Sequence, residues 1–423
     1  MKDYLLINPR TDCSELFDES QVSFIPMPNV QEKNNCVQYD LVKYEAVKKG
    51  FTVFQKGDLI WAKITPCMQN GKSCVVSEMP TEIGFGSTEF HVIRKRTDEI
   101  YMPFIWAIFS NDDVLKAAQA VFSGSAGQQR VAASFLERFP AVLPKYEKQV
   151  EMVKNLEEKL QELNHKRQDA DRLLYEIDEL VRKAIGIGEE TYKKPMIYAV
   201  TGINAKKSRF DTEYHNPFYT HRVDRIKEVN HDTLENIIEI STETWNQRDF
   251  FSDTFPYIEI SGVGIKNNNY QVTPTTVASA PSRAKMIVRN QDIIVSTTRP
   301  HRGAIATIVC SPQEVQIAST GFCVLRELLR TDVLREYLQW ILLNDYVLLQ
   351  MLQRSSGGNY PAITAEEIRK IVIPIPSLEI QERICKEAKE RKALASKLHL
   401  EAENKWTLAK FQFENKLLEG GVQ

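Results

Sequence analysis

The sequence repeats itself about 232 residues apart, and each copy runs into a long segment of heptad pattern. In the first copy Gly57-Asp58-Leu59-Ile60 leads to Pro66, Gly71 and then Ser87-Thr88-Glu89-Phe90-His91-Val92-Ile93-Arg94. In the second, Gln291-Asp292-Ile293-Ile294 leads to Pro300, Gly303 and then Ser319-Thr320-Gly321-Phe322-Cys323-Val324-Leu325-Arg326. At the same offset Ser123 to Gln128 faces Ser355 to Tyr360, Phe139 to Pro144 faces Ile371 to Pro376, and Gln149 faces Gln381. So long a run of matches, with only one or two residues of drift, predicts two homologous domains on one scaffold, with different loops.

The spacing of residue types divides the chain. Short β-type runs such as Asp58 to Trp61, Ser73 to Val76 and Phe90 to Arg94 fill a first globular domain over residues 1–144. Met102 to Ala120 is helical in pattern and breaks at Asn111-Asp112-Asp113, as the second copy breaks at Asn344-Asp345. From Tyr146, Val153, Leu156, Leu160, Leu163, Ala170, Leu174, Ile177 and Val181 recur by three and four, with a charge at Arg167. This predicts a central coiled-coil helix over 145–187, roughly 60 Å long at ~1.5 Å per residue.

A polar connector is expected over 188–215, a second domain over 216–376 and a C-terminal coiled-coil helix over 377–420. The last helix has alanine at every seventh seam position, 388, 395, 402 and 409, with Ile384 and Leu398 alternating with Arg391 and Lys405. Small seam residues suit close approach, so the two long helices are expected to pair with each other. The second domain carries Leu234 to Ile240, a segment the first copy lacks or abbreviates.

Bulk properties exclude less than the pattern does. The length, 423 residues, allows two to four domains with proper cores, and a net charge of −2 means that any affinity for polyanions must come from local patches. The seven cysteines include no CxxC pair and are expected to be reduced. No run of eighteen apolar residues exists, and the short apolar N-terminal stretch lies among Lys2, Asp3 and Arg10, so a cytoplasmic protein is expected.

Two kinds of loop carry candidate contacts. Trp61 to Gly71 and Ser296 to Gly303 follow an apolar strand opened by an acid, and Lys63, Thr65, Gln69, Asn70, Lys72, Thr298, Arg299, His301 and Arg302 are donors suited to base edges or phosphates. The glycine-serine loops, each leading into a short helix, add Gln128, Gln129, Arg130, Asn359 and Tyr360. Residues 283–302 hold Arg283, Lys285, Arg289, Arg299 and Arg302 against a lone Asp292, a local basic excess that suits a polyanion.

Signals of catalysis fail on inspection. Asn216-Pro217-Phe218-Tyr219 resembles the motif with which adenine methyltransferases grip a flipped base, but the second proline is missing and no glycine-rich loop for a methyl donor precedes it. No P-loop, HExxH or GxSxG is present, and His91 reads as a structural residue. No catalytic residue and no metal ligand is expected.

The order domain, long helix, domain, long helix resembles the specificity subunits of type I restriction-modification systems. The Gly/Gln-Asp-Leu/Ile-Ile strand, the Ser-Thr-x-Phe-x-Val-x-Arg strand, the Ser/Gly loop and the Ile-Pro-x-Pro-x-x-x-x-Gln lead into the helix are similar to that family's recurring marks. The resemblance implies an α+β chain of two homologous α/β target-recognition domains in pseudo-two-fold arrangement, separated by two long antiparallel coiled-coil helices. It implies a non-enzymatic subunit that reads a bipartite target in double-stranded DNA, one half per domain, while the helices set the spacer. Its partners would be two adenine-methylating modification subunits and ATP-driven restriction/translocase subunits; S-adenosylmethionine, ATP and Mg would belong to those partners. Two other readings stand beside this one: an orphan or silent specificity subunit, and a protein-binding coiled-coil scaffold that does not touch DNA.

Overall fold

The protein is described from a computed structural model, which covers residues 1–124, 129–140, 143–188, 193–200, 209, 211, 213–246, 251 and 253–420, with side chains to residue 417. Two compact units form, Met1–Gln168 with His399–Gln423, and Asp169–Leu398. Each unit therefore gathers one set of sheets and a stretch of both long helices.

The first unit contains β1 (Leu5–Ile7), β2 (Gln21–Ile25), β3 (Asp40–Lys43), β4 (Thr52–Gln55), β5 (Leu59–Ala62), β6 (Ser73–Val75), β7 (Ile83–Gly86) and β8 (Phe90–Lys95). They make two four-stranded sheets in the orders β1-β8-β5-β6 and β3-β2-β7-β4. The second unit contains β9 (His231–Thr233), β10 (Ile238–Ser241), β11 (Thr254–Ile258), β12 (Thr273–Thr276), β13 (Ala284–Val288), β14 (Ile293–Ser296), β15 (Ile305–Thr307), β16 (Gln316–Ser319), β17 (Phe322–Leu328) and β18 (Val372–Pro374). Its four-stranded sheets run β10-β17-β14-β15 and β12-β11-β16-β13, the same topology strand for strand. All pairings in these sheets are antiparallel except β2 with β7 and β11 with β16, which are parallel in both units. The segment around Leu234 to Ile240 thus has a counterpart in the first unit, the short β1; among the described residues, what the second unit adds is the helix Pro217–Lys227 and the pair β9 with β18.

The acid that opens β5 or β14 explains why both turns recur. Asp58 accepts the Gln55 N–H at 2.8 Å and grips Arg94 of β8 through both oxygens, at 2.8 and 2.7 Å. Asp292 accepts the Arg289 N–H at 2.9 Å and pairs with Arg326 of β17 at 2.9 Å. Both aspartates are buried, so each charge is tolerated because its partner and a backbone donor satisfy it. The strands that follow, Leu59–Ala62 and Ile293–Ser296, are buried at every position, as central strands covered on both faces must be.

A second repeated lock lies after the loop. Gly71 and Gly303 have φ of +70° and +74°, and a Cβ there would press on Lys33 Cγ at 2.7 Å or Lys266 Cγ at 3.0 Å. Those two lysines are left-handed as well and pair with Asp112 and Asp345, the first residues of helices capped by the side chains of Asn111 and Asn344. The helix break visible at Asn111 and Asn344 is therefore a pair of N-caps.

The long helices span Tyr146–Ala184 and Leu378–Gly420. In the first unit Leu156, Leu160 and Leu163 share a core with Ala402, Trp406 and Ala409; in the second Ile177 and Val181 share one with Ile384 and Ala388. The alanines of the C-terminal helix, Ala388, Ala402 and Ala409, lie in these cores with larger residues of both helices. Their order is antiparallel: Asn155 bonds Gln412 at 3.1 Å and Lys166 bonds Glu401 at 2.9 Å in the first unit. The charges that interrupt the heptads find partners on the other helix: Arg167 with Glu403, and Lys405 with Glu162.

Gln149 and Gln381 fix where each helix starts, in the same way. Gln149 accepts the Tyr101 N–H at 2.9 Å and donates to the carbonyls of Glu99 and Pro144; Gln381 accepts the Leu334 N–H at 2.8 Å and donates to those of Asp332 and Pro376. Both amides are buried with their donors and acceptor used, which leaves little freedom in how domain and helix join.

Candidate nucleic-acid interface

In each unit the loop after the central strand is stitched to the glycine-serine loop. The Thr65 N–H donates to the Gln129 carbonyl at 3.0 Å, and the Arg299 N–H donates to the Pro361 carbonyl at 2.7 Å. Single β-bridges join Ile64 to Arg130 and Thr298 to Ala362. The two candidate loops, far apart in sequence, are therefore one surface in each domain.

On the first domain this surface gathers Lys63, Thr65, Gln69, Gln129 and Arg130. The Thr65 hydroxyl bonds Gln69 Oε1, and Arg130 clasps Glu89 through two bonds, at 2.8 and 2.7 Å. That hydrogen bond from Arg130 holds the Glu89 carboxyl below the usual carboxylate range. Asn70 and Lys72 turn toward a neighbouring loop, Asn70 bonding Glu32 at 2.8 Å and Lys72 the Met27 carbonyl at 3.3 Å. Gln128 lies outside the described residues.

On the second domain the surface gathers Thr298, Arg299, His301, Arg302, Asn359 and Tyr360. Arg299 is left-handed, with φ 49° and ψ 51°, and starts the 3-10 turn Pro300–Arg302. Its guanidinium lies 4.2 Å from the Tyr360 ring centroid and donates to the Asn359 carbonyl at 3.2 Å. Arg302, Asn359 and Tyr360 are exposed. Burial lowers the His301 pKa, helped by Arg302 and Arg299. Arg283 reaches the same edge, since its carbonyl accepts the Thr320 N–H at 2.7 Å and Gly321 accepts the Thr297 N–H at 2.8 Å. Lys285 is exposed on β13, further along the sheet.

One expectation needs correction. The basic excess of residues 283–302 is not answered by Asp292 alone: Glu243, from upstream, binds Arg289 through both carboxylate oxygens and also pairs with Arg326 at 2.5 Å. The side-chain bond from Arg289 holds the Glu243 carboxyl down at about 2. Glu243 lies outside the matched stretches of the repeat, so nothing in the local sequence announces it. Arg289 is thus part of the scaffold, which leaves Arg283, Arg299 and Arg302 as the cations of the loop surface. Glu89 also belongs to this surface, and its position marks a difference between the copies: where the first has Glu89, the second has Gly321.

The other sequence candidates fall into structural roles. His91 bonds the Val131 carbonyl at 2.8 Å and Asn8 at 3.0 Å, and burial lowers its pKa. Asn216 of Asn-Pro-Phe-Tyr caps the helix Pro217–Lys227 by accepting the Phe218 N–H at 3.0 Å. All seven cysteines are free thiols. Among the described residues no group of three His, Cys, Asp or Glu is placed to hold a metal ion, and no helix is long and apolar enough to cross a membrane.

Two homologous α+β domains, each with a two-loop surface of polar and basic donors and each leading into a long paired helix, define the class. The family described as type I restriction modification DNA specificity domain matches residues 6–170 and 226–389, and the chain belongs to it. It is 38% identical over 148 residues to the type I restriction enzyme EcoAI specificity subunit of Escherichia coli, covering 35% of this chain and 25% of that protein. It is 33% identical over 154 residues to the EcoEI specificity subunit of the same organism, covering 36% and 26%. The matches thus span about a quarter of the length of these relatives. A solved type I restriction-modification S subunit from M. genitalium aligns over 97% of this chain and 93% of its own, at 12% identity and a TM-score of 0.41.

Proposed function

We propose that this chain is the DNA-recognition subunit of a type I restriction-modification complex, each domain reading one half of a bipartite target in double-stranded DNA. One observation carries the reading. The two domains repeat their scaffold down to single hydrogen bonds, yet the stitched loops that each scaffold presents differ in charge and donor type. Scaffolds that agree while their tips differ are what recognition of two unlike half-sites requires.

The paired helices, of 39 and 43 residues, are the part suited to setting the unread spacer and to docking two modification subunits, with restriction subunits joining that assembly. The chain itself reads and assembles; methyl transfer and ATP-driven cleavage, with their S-adenosylmethionine, ATP and Mg, reside in the partners. Its place of action is the cytoplasm, where the DNA is.

Electrophoretic mobility on random duplex, with and without a co-expressed adenine methyltransferase subunit, tests this. Binding that then narrows to a two-part sequence is expected. Absence of binding in both settings contradicts it.

A further inference from the structure

Arg299 is fixed before any ligand arrives. Its backbone holds a left-handed conformation that residues other than glycine rarely adopt, pinned by the bond from its N–H to the Pro361 carbonyl at 2.7 Å. Its side chain lies on Tyr360, 4.2 Å from the ring centroid, and one Nη2 hydrogen is spent on the Asn359 carbonyl. A guanidinium so placed has a set plane and few rotamers left to lose, which is the condition for directional recognition.

We propose that Arg299, laid on Tyr360, reads a guanine in the half of the target that the second domain covers. This rests on the DNA-reading function above. A phosphate contact asks only for positive charge, and charge at the loop tip would then be useful in both domains. The first domain keeps positive charge on its loop as Lys63, yet it has Thr65 where the second has Arg299, and its Arg130 is paired with Glu89 where the second has Gly321, so it is the arginine and not the charge that differs.

The position therefore varies as a base reader varies. Guanine alone presents two acceptors, N7 and O6, on its major-groove edge, and these match two parallel guanidinium N–H groups. Adenine and cytosine each present an amino donor there, which a group made only of donors cannot accept.

The test uses the full chain co-expressed with an adenine methyltransferase subunit. A target is selected from a random duplex pool, and every guanine in it is replaced singly by 7-deazaguanine, which lacks the N7 acceptor. One such replacement is expected to weaken binding by the wild type about 5- to 150-fold and to have no further effect on Arg299→Ala. Arg299→Lys is expected to lose preference at that base while keeping the wild-type salt dependence, and Tyr360→Leu to lose part of that preference. A thermal transition like the wild type's shows that each variant is folded.

The proposal is overturned if no guanine depends on its N7, or if Arg299→Ala weakens all sequences alike and lowers the salt dependence, as loss of a phosphate contact does. In both of those cases the selected target still stands, and with it the DNA-reading function. If the pool yields no preferred sequence at all, that function and the guanine assignment fall together.

Discussion

The two domains share a skeleton and differ at three places that touch it. At the loop tip the first domain pairs its arginine, Arg130, with Glu89, whereas the second leaves Arg299 and Arg302 beside a glycine. Behind the tip, Arg94 has one carboxylate, Asp58, and the Thr11 hydroxyl at 2.8 Å; Arg326 has two carboxylates, Asp292 and Glu243. At the helix, Trp406 of the first unit and Leu174 of the second stand 25 residues after Gln149's counterpart Gln381 and after Gln149 itself. Trp406 is buried in the first unit's core, where the Trp106 indole donates to the Ser73 carbonyl at 3.3 Å. In the second unit Leu174, Trp340 and Ile265 line a hollow of about 270 Å³, and the buried Trp340 Nε1 has no partner among the described residues. The lesson is that duplication keeps the joints and lets the fillings drift, and the fillings set both specificity and local stability.

The largest expected effect lies at the buried ion pairs. Asp58→Asn should destabilise the first domain by about 3–5 kcal/mol, because Arg94 is then buried with only a hydroxyl and a neutral amide. Asp292→Asn should cost clearly less, because Glu243 still holds Arg326; denaturant unfolding of the two variants compares them, and equal losses would show that Glu243 does not share the charge. Next comes Arg302→Ala, which should change recognition of one half-site by about 1–3 kcal/mol and leave the other intact. A uniform loss over both halves in a binding assay on half-site variants would mean that Arg302 acts through folding or non-specific charge.

Leu174→Trp should stabilise the second unit by about 0.5–2 kcal/mol by filling the hollow that Trp406's counterpart leaves. Thermal unfolding measures it, and destabilisation would show that the hollow cannot take an indole. The smallest effect is one of pH. The folded Glu243 carboxyl lies at about 2 against an ordinary 4.5, so its contribution is present above pH ~4.5 and is lost as pH falls from there toward 2. Glu243→Gln should flatten the fall in stability across that window, and an unchanged acid profile would remove Glu243 from the account.

Much of this was written openly in the chain. Asp58 and Asp292, Gly71 and Gly303, and Gln149 and Gln381 recur in register because backbone turns and buried polar groups restrict what can stand there. The heptads announced both helices, since burial of one stripe leaves a period that survives sequence drift. What stayed hidden was contact between distant segments: Glu243 with Arg289, Glu89 with Arg130, and the stitch of Thr65 to Gln129. None of these leaves a period or a spacing, because each partner comes from a different loop. The sequence therefore offers the candidate surface residue by residue, whereas which residues are held and which are presented follows only from the fold.

The central claim is that two like scaffolds read two unlike halves of one target. Methylome sequencing of a host that carries this chain with its adenine methyltransferase subunit tests it most directly. The account predicts methylated adenines within a two-part motif whose halves differ and are separated by a spacer of fixed length. A single undivided motif, or methylation without any motif, would contradict it.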